Sequence, residues 1–173
     1  QDPSTQEILD DWAQLHPVAP LSWNDVLWST AIAHNESMIQ HDMLTHQTPS
    51  EPPLEDRYAA AGYTDWDKIG ENLFTEGESV FHVHSAFVID WDWSLRGHRL
   101  NIMDEAYSEV GVAIENEDSP LTSVGPKVVT VEFGGGGVSA SEPKIMGVVY
   151  DDLNANARYD AGEGLGGVDV TIV

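Results

Sequence analysis

Four segments with a helical repeat precede two with a strand repeat, and this order constrains the fold more than any single motif does. Between Gln6 and Leu15, the residues Ile8, Leu9, Trp12 and Leu15 fall at helical spacing behind Ser4 or Thr5 as an N-cap, and Pro17 and Pro20 end the run. A second helix is expected from near Ser22 or Asn24 to about Met43, with Leu27, Ala31, His34 and Met38 along one face. LEDRYAAAGY makes a short helix closed by Gly62, the residue type that tolerates a left-handed cap. Ser79 caps a fourth, whose Val80, Val83, His84, Phe87, Val88 and Trp91 share one face. Glu109 to Ile114 and Lys127 to Phe133 then read as strands. Helices followed by strands predict an α+β fold, an α-β-α sandwich with a small antiparallel sheet, rather than a doubly wound parallel one.

Within this frame the stretch WSLRGHRLNIMDEAYSEVGVAI, residues 93–114, sets Gly97 and His98 at a turn ahead of a short helical piece. A histidine so placed needs partners, and the candidates upstream are His46 in MLTH and Glu71 in GENLF, each expected beside a loop rather than mid-element. His34 belongs to the apolar stripe of the second helix and reads as a packed core histidine with one satisfied nitrogen. His82 and His84 are two residues apart on a helix, so they point to different sides and are no chelating pair. Arg99 and Asn101 are expected to fix the turn and the helix start.

Composition narrows the partners. Seven Lys plus Arg against thirty Asp plus Glu give a formal charge of -23, which repels nucleic acid and anionic membranes and attracts cations. A salt-adapted surface or a calcium-rich exterior would each account for it. No apolar run reaches the ~18–20 residues of a membrane-spanning helix. The chain has no cysteine, which excludes disulfides, thiolate metal sites and cysteine catalysis. No signal peptide is visible at Gln1, and the end at VDVTIV, with no turn or polar tail after it, reads as the interruption of a longer protein.

GGGGVSASEP, from Gly134 to Pro143, is a linker by composition, dividing a first domain at 1–134 from a piece at 144–173. In that piece, Ile145 to Tyr150 and Val168 to Val173 read as two strands flanking DLNANARYDAGE. Asp152, Asn154, Asn156, Arg158, Asp160 and Glu163 occupy positions 1, 3, 5, 7, 9 and 12 of a twelve-residue Ca²⁺ loop. Alternate residues of such a loop turn oxygens inward, Arg158 contributes its carbonyl, and Glu163 closes the shell. Ala157 stands at the sixth position, where glycine is preferred; a left-handed alanine there costs on the order of 1 kcal/mol. With strands on either side, the run reads as a fragment of an all-β, sandwich-like module and resembles the calcium-binding B repeats of bacterial surface adhesins. It covers only about the last thirty residues, and that resemblance implies rigidity and spacing rather than catalysis.

PLSWNDVL, AIAHNESM, LTH, GENLF, GHRLNIM, EVGVAI and VTVEFG, in that order over residues 6–134, resemble the CAP superfamily of cysteine-rich secretory, antigen 5 and pathogenesis-related proteins. The similarity is to its cysteine-free bacterial branch. It implies an α-β-α sandwich with a central cleft carrying two histidines and two acidic residues, which transfer here to His46, Glu71 and His98. The second glutamate of the pattern falls on Ser94, with Asp92 as its possible substitute. The resemblance implies a secreted or cell-surface protein and a ligand such as a lipid, glycan or peptide.

Two imidazoles with an open coordination sphere suit Zn²⁺ or a similar ion, with Glu71 orienting a histidine or acting as base. Two ligands are too few for tight structural zinc, so exchangeable binding is expected. The first functional expectation is therefore a binding module with an acidic cleft for a divalent cation, attached to a Ca²⁺-stiffened spacer. The second is a metal-assisted, peptidase-like hydrolase using His46, His98 and Glu71, although neither H-E-x-x-H nor G-x-S-x-G is present. The third is the passive head of an adhesin-like protein.

Overall fold

The computed structural model describes residues 5–90, 96–137 and 143–171. The chain divides into two compact units, Gln1–Glu142 and Pro143–Val173. In the first unit the order is α1 (Thr5–Trp12), β1 (Ser22–Trp23), α2 (Asp25–His41), α3 (Leu54–Ala61), β2 (Lys68–Phe74), α4 (Val80–Ile89), α5 (Gly97–Ile102), β3 (Glu109–Asn116) and β4 (Lys127–Gly135).

The helix ends follow local chemistry. The Asn24 carboxamide oxygen accepts from the Val26 and Leu27 amides at 2.9 and 3.2 Å and starts α2. Gly62, at φ 95°, closes α3, and the Ser79 hydroxyl accepts from the His82 amide at 3.1 Å to open α4. Helix α4 stops at Ile89, with Asp90 left-handed at its C-cap, so it is shorter than its apolar repeat suggests. Trp91, at the end of that repeat, lies outside the described residues. Only Val83 and Phe87 of α4 are buried, while Val80 and His84 are exposed.

Four strands form one sheet in the order β1-β3-β4-β2. The pair β3–β4 is antiparallel as expected; β2, a strand not foreseen at 68–74, also pairs β4 antiparallel, and β1 joins β3 in parallel, with Ser22 opposite Glu109. A two-residue strand has no periodicity to read, which is why this edge was not foreseen. Strand β2 is the opposite edge, and its register sets Glu71 against Glu132 and Asn72 against Val131. Alternation therefore sends Glu71 and Glu132 to one face and Asn72 to the other.

Helix α2 covers the Glu71 face. Leu27, Ala31, His34 and Met38 are all fully buried, and removing a side chain such as Met38 from water contributes roughly 1.5–3 kcal/mol. The approach is close because β3 presents Gly111, where a Cβ would overlap the backbone of Leu27 and Trp28. Asn35, also fully buried, donates to the Val128 carbonyl at 3.1 Å and accepts from the Thr130 hydroxyl at 2.7 Å, tying α2 to β4. On the other face, Val83 and Phe87 pack against Val129, with Phe74, Ile102 and Val131 around them. This is the α-β-α layering expected from the element order.

Strand β4 runs through Gly135, so Gly134 and Gly135, read by composition as linker, are sheet residues paired with Ile69 and Lys68. Residues 138–142 lie outside the description. The second unit departs further from expectation. Neither 145–150 nor 168–171 forms a strand; the described residues hold one isolated bridge, Tyr150 to Gly164. Alternating apolar residues need a partner strand to become a sheet, and here Ile145, Val148, Val168 and Val170 remain exposed.

Candidate functional site

His46 lies in the segment joining α2 to α3. Glu71 is mid-strand in β2, not beside a loop, and this buries its carboxylate while the His46 ring stays largely in solvent. The His46 Nδ1 donates to Glu71 Oε1 at 2.6 Å, leaving Nε2 outward. The other Glu71 oxygen accepts from Arg57 Nη2, also at 2.6 Å, and Arg57 additionally donates to the His46 carbonyl at 3.3 Å. One buried guanidinium thus fixes both the acid and the backbone of its histidine.

His34 stands behind this pair, and its role exceeds that of a core histidine with one satisfied nitrogen. Its Nδ1 lies 3.0 Å from both oxygens of Glu51, and its Nε2 lies 3.0 Å from the Thr45 carbonyl and 3.7 Å from Glu71. Thr48 holds Glu51 in place through its hydroxyl at 2.7 Å. The segment carrying His46 is therefore anchored to α2 at Thr45 and Glu51, which a loop of this composition does not reveal.

Burial pushes the Glu71 carboxyl upward, but the His46 hydrogen bond and the charges of His34 and Arg57 outweigh it and hold Glu71 below its ordinary value. Glu132, directly across the sheet and fully buried, goes the other way: burial, then repulsion from Glu71, raise it well above the usual carboxyl range against the opposing pull of Arg57.

His98 has a different acid. It is the second residue of α5, whose N-cap, Arg96, makes no side-chain cap. Asp90 supplies that cap from eight residues upstream: Oδ2 accepts from the His98 and Arg99 amides at 3.0 and 3.3 Å, and Oδ1 lies 2.9 Å from His98 Nδ1. Asp90 is buried, so the ring is held as His46 is, by Nδ1, and among the described residues Nε2 has no hydrogen-bond partner. Ser94 and Asp92, the positions considered for a second acid, lie outside the described residues.

The two pairs are coupled through β2. The Asn72 amide donates to the His98 carbonyl at 2.9 Å, and Asn101 donates to Asn72 Oδ1 at 2.8 Å and to the Glu71 carbonyl at 3.3 Å. Asn101 thus braces the edge strand, while Arg99 donates to the Val88 and Ile89 carbonyls and to Asp11. The structure brings His46 to Glu71 and gives His98 to Asp90. Among the described residues, no group of three or more His, Asp or Glu side chains is arranged to hold a metal ion. Beneath α4, a cavity of about 230 Å³ is lined almost wholly by apolar side chains, among them Val83, Phe87, Val131 and Phe133, with Asn72 at its wall.

Residues 7–133 match the family described as CAP, the cysteine-rich secretory protein family. The chain belongs to that family. Among solved structures it is similar to an extracellular SCP-domain protein of Bacillus anthracis, with TM-score 0.56 and 20% identity over 75% of this chain and 39% of the Bacillus chain. It is also similar to an outer surface protein of Borrelia burgdorferi, with TM-score 0.54 and 14% identity over 78% of this chain and 97% of the other. These identities establish a shared CAP fold. No curated protein sequence matches the chain. Among the described residues, no helix is long and apolar enough to cross a membrane.

In the second unit the calcium-loop residues gather around one another. Asp152 accepts from the Asn156 and Ala157 amides at 3.0 and 2.8 Å, and Asp160 Oδ2 accepts from the side-chain amides of Asn154 and Asn156 at 2.6 Å each. The Asn156 side-chain oxygen accepts from the Arg158 amide at 2.7 Å. Buried Glu163 accepts from Leu153 and Asp160 amides at 3.1 and 2.9 Å. Ala157, at φ 59°, is left-handed, as expected of that sixth position.

Proposed function

We propose that the first unit is an extracellular CAP domain that binds a divalent cation of the zinc type, exchangeably, through His46 and His98. The observation that carries this reading is that each imidazole has its Nδ1 held by a buried carboxylate, Glu71 or Asp90, and its Nε2 without a partner among the described residues. A carboxylate behind Nδ1 fixes the tautomer and raises the donor strength of Nε2, the usual support of a metal-binding histidine. The donor set suits zinc, and two protein ligands leave positions open to water or to a ligand. The apolar cavity beneath α4 suits the non-polar part of such a ligand, whether lipid, glycan or peptide. The outer-surface and extracellular descriptions of the structural neighbours, and the formal charge of -23, support an exposed, cation-rich setting.

In the second unit, Asp152, Asn154, Asn156, Asp160, Glu163 and the Arg158 carbonyl form a Ca²⁺ loop that stiffens a spacer. The spacing and the left-handed Ala157 support this.

Isothermal titration of Zn²⁺ into the wild type and a His46→Ala/His98→Ala double variant tests the cation reading. The expected result is loss of binding in the double variant, and unchanged affinity would remove it. Glu71, fixed against His46, is also where a base would stand in a metal-assisted hydrolase. Turnover across a peptide and ester library that vanishes in Glu71→Gln would favour that alternative, and zinc binding without turnover would favour the binding module.

A further inference from the structure

Glu132 comes from the last strand, and neither the motifs nor the family pattern assigns it a part. It is fully buried, and it faces Glu71 across the β2–β4 ladder. The charged and titratable groups that bear on it are Glu71 from β2 and Arg57 and Tyr58 from α3; Arg57 in turn lies 3.9 Å from Glu51, and Glu71 is bonded to His46 and stands 3.7 Å from His34. The Tyr58 hydroxyl donates to Glu132 Oε2 at 2.9 Å, and Arg57 Nη1 stands 3.7 Å from Oε1, too far to donate. Among the described residues Oε1 has no hydrogen-bond donor, and Arg57 Nε and Nη1 have no acceptors.

Arg57 commits Nη2 to Glu71 at 2.6 Å, and Glu51 is held by His34 and by the Thr48 hydroxyl. The third carboxylate, Glu132, shares the Arg57 guanidinium only at 3.7 Å, outside hydrogen-bonding distance. Ionised, it would be a buried anion with one oxygen lacking a hydrogen bond, paired across the ladder with the anion of Glu71. Protonated, it becomes a donor, and Glu71 is the acceptor beside it.

We propose that Glu132 is a neutral carboxylic acid at neutral pH that donates a hydrogen bond to Glu71 and thereby positions the Glu71 carboxylate against His46. This rests on the His46–Glu71 pair being the working part of the proposed site, although the proton on Glu132 is measurable without it. Glu71 then receives three donors, from His46, Arg57 and Glu132, which fixes its orientation and its charge. The Tyr58 hydroxyl donates its single proton to Glu132 Oε2 at 2.9 Å and ties that carboxyl to α3.

Infrared spectroscopy of the full chain in heavy water at pH 7 tests this directly. The wild type is expected to show the C=O stretch of one protonated carboxyl, and Glu132→Gln to lose it. Relative to Glu132→Gln, the wild-type unfolding constant should rise by up to about tenfold per pH unit above the ordinary carboxyl range, the signature of one proton taken up on folding. Should Glu132→Gln fail to fold, carbon-13 glutamate labelling of the wild type gives the same answer, with one side-chain carboxyl carbon at its protonated shift at pH 7. Absence of any protonated carboxyl in the folded wild type, or its persistence in Glu132→Gln, overturns the proposal. A protonated carboxyl without zinc binding supports it and removes only the cation reading, whereas zinc binding without that signal removes only this proposal.

Discussion

His46 and Glu71 are joined at 2.6 Å across the boundary between solvent and core: the imidazole is mostly exposed, and the carboxylate beneath it is almost wholly buried. An exposed ring held by a buried acid can change its own ligand while its orientation stays fixed. The acid in turn is bonded to Arg57 at 2.6 Å, so the pair is seated on an interior ion pair.

Removing that acid is therefore expected to cost more than removing the histidine. Glu71→Ala leaves the Arg57 guanidinium buried without its main partner, a loss of about 3–5 kcal/mol. His46→Ala removes a ring at the surface, and its expected cost is below about 1 kcal/mol. Urea denaturation of both variants checks the contrast, and equal losses would show that Arg57 is neutralised elsewhere.

Asp90 has two tasks, and two substitutions separate them. Asp90→Ala removes the acceptor for two α5 amides and for His98 Nδ1, with an expected loss of about 1–3 kcal/mol in stability. Asp90→Asn keeps an acceptor for the amides but loses the carboxylate behind the ring. Zinc affinity should then fall roughly 10–100-fold with a smaller loss of stability. Calorimetry alongside thermal unfolding reads both, and a stability loss without a change in affinity would make Asp90 a cap alone.

How much of this was legible depends on the reach of each interaction. The α2 stripe was readable because helical spacing alone puts Leu27, Ala31, His34 and Met38 on one buried face. The α-β-α layering followed from element order. His46 and Glu71 were found through ordered family landmarks, but their 2.6 Å contact joins residues 25 apart, and no local pattern encodes it. Asp90 was overlooked because it caps a helix it does not belong to. Glu132 sits in an alternating strand where a charged residue reads as solvent-facing, and only the register opposite Glu71 shows otherwise. In the second unit, alternation at 145–150 suggested a strand, but a strand exists only by pairing, and residue pattern cannot supply the partner.

Stability should depend on pH in opposite senses through the two facing glutamates. Glu71 is held below its ordinary value near 4.5, so the stability it contributes is present above that value and lost as pH falls through the folded-state value. Glu132 is held well above it, so its contribution is complete at low pH and lost as pH rises toward its folded-state value. Melting temperatures across the range should therefore peak between the two limbs. Glu71→Gln should flatten the acid limb and, by removing the charge that helps raise Glu132, weaken the other limb as well; an acid limb that survives in Glu71→Gln would assign acid unfolding to Glu51, which is also held low by His34 and Thr48 against burial.

Calcium should act on the second unit through Glu163. Its carboxylate accepts from the amides of Leu153 and Asp160, so it already spans the loop from its beginning to its end, and a cation bound by the loop would meet a carboxylate already in place. Because the described residues of the unit hold one bridge and many exposed apolar side chains, ion binding by the loop is expected to dominate its stability. Ca²⁺ at a hundredfold excess over its dissociation constant would add about 2.7 kcal/mol. Glu163→Gln keeps a side-chain acceptor but removes the charge and the bidentate grip on Ca²⁺, and should weaken calcium affinity on the order of tenfold or more. Hydrogen exchange at residues 150–165 with and without Ca²⁺ reads this locally. Protection that rises with Ca²⁺ in the wild type and not in Glu163→Gln assigns the loop, whereas equal protection in both would leave DLNANARYDAGE a surface turn held by its own amides.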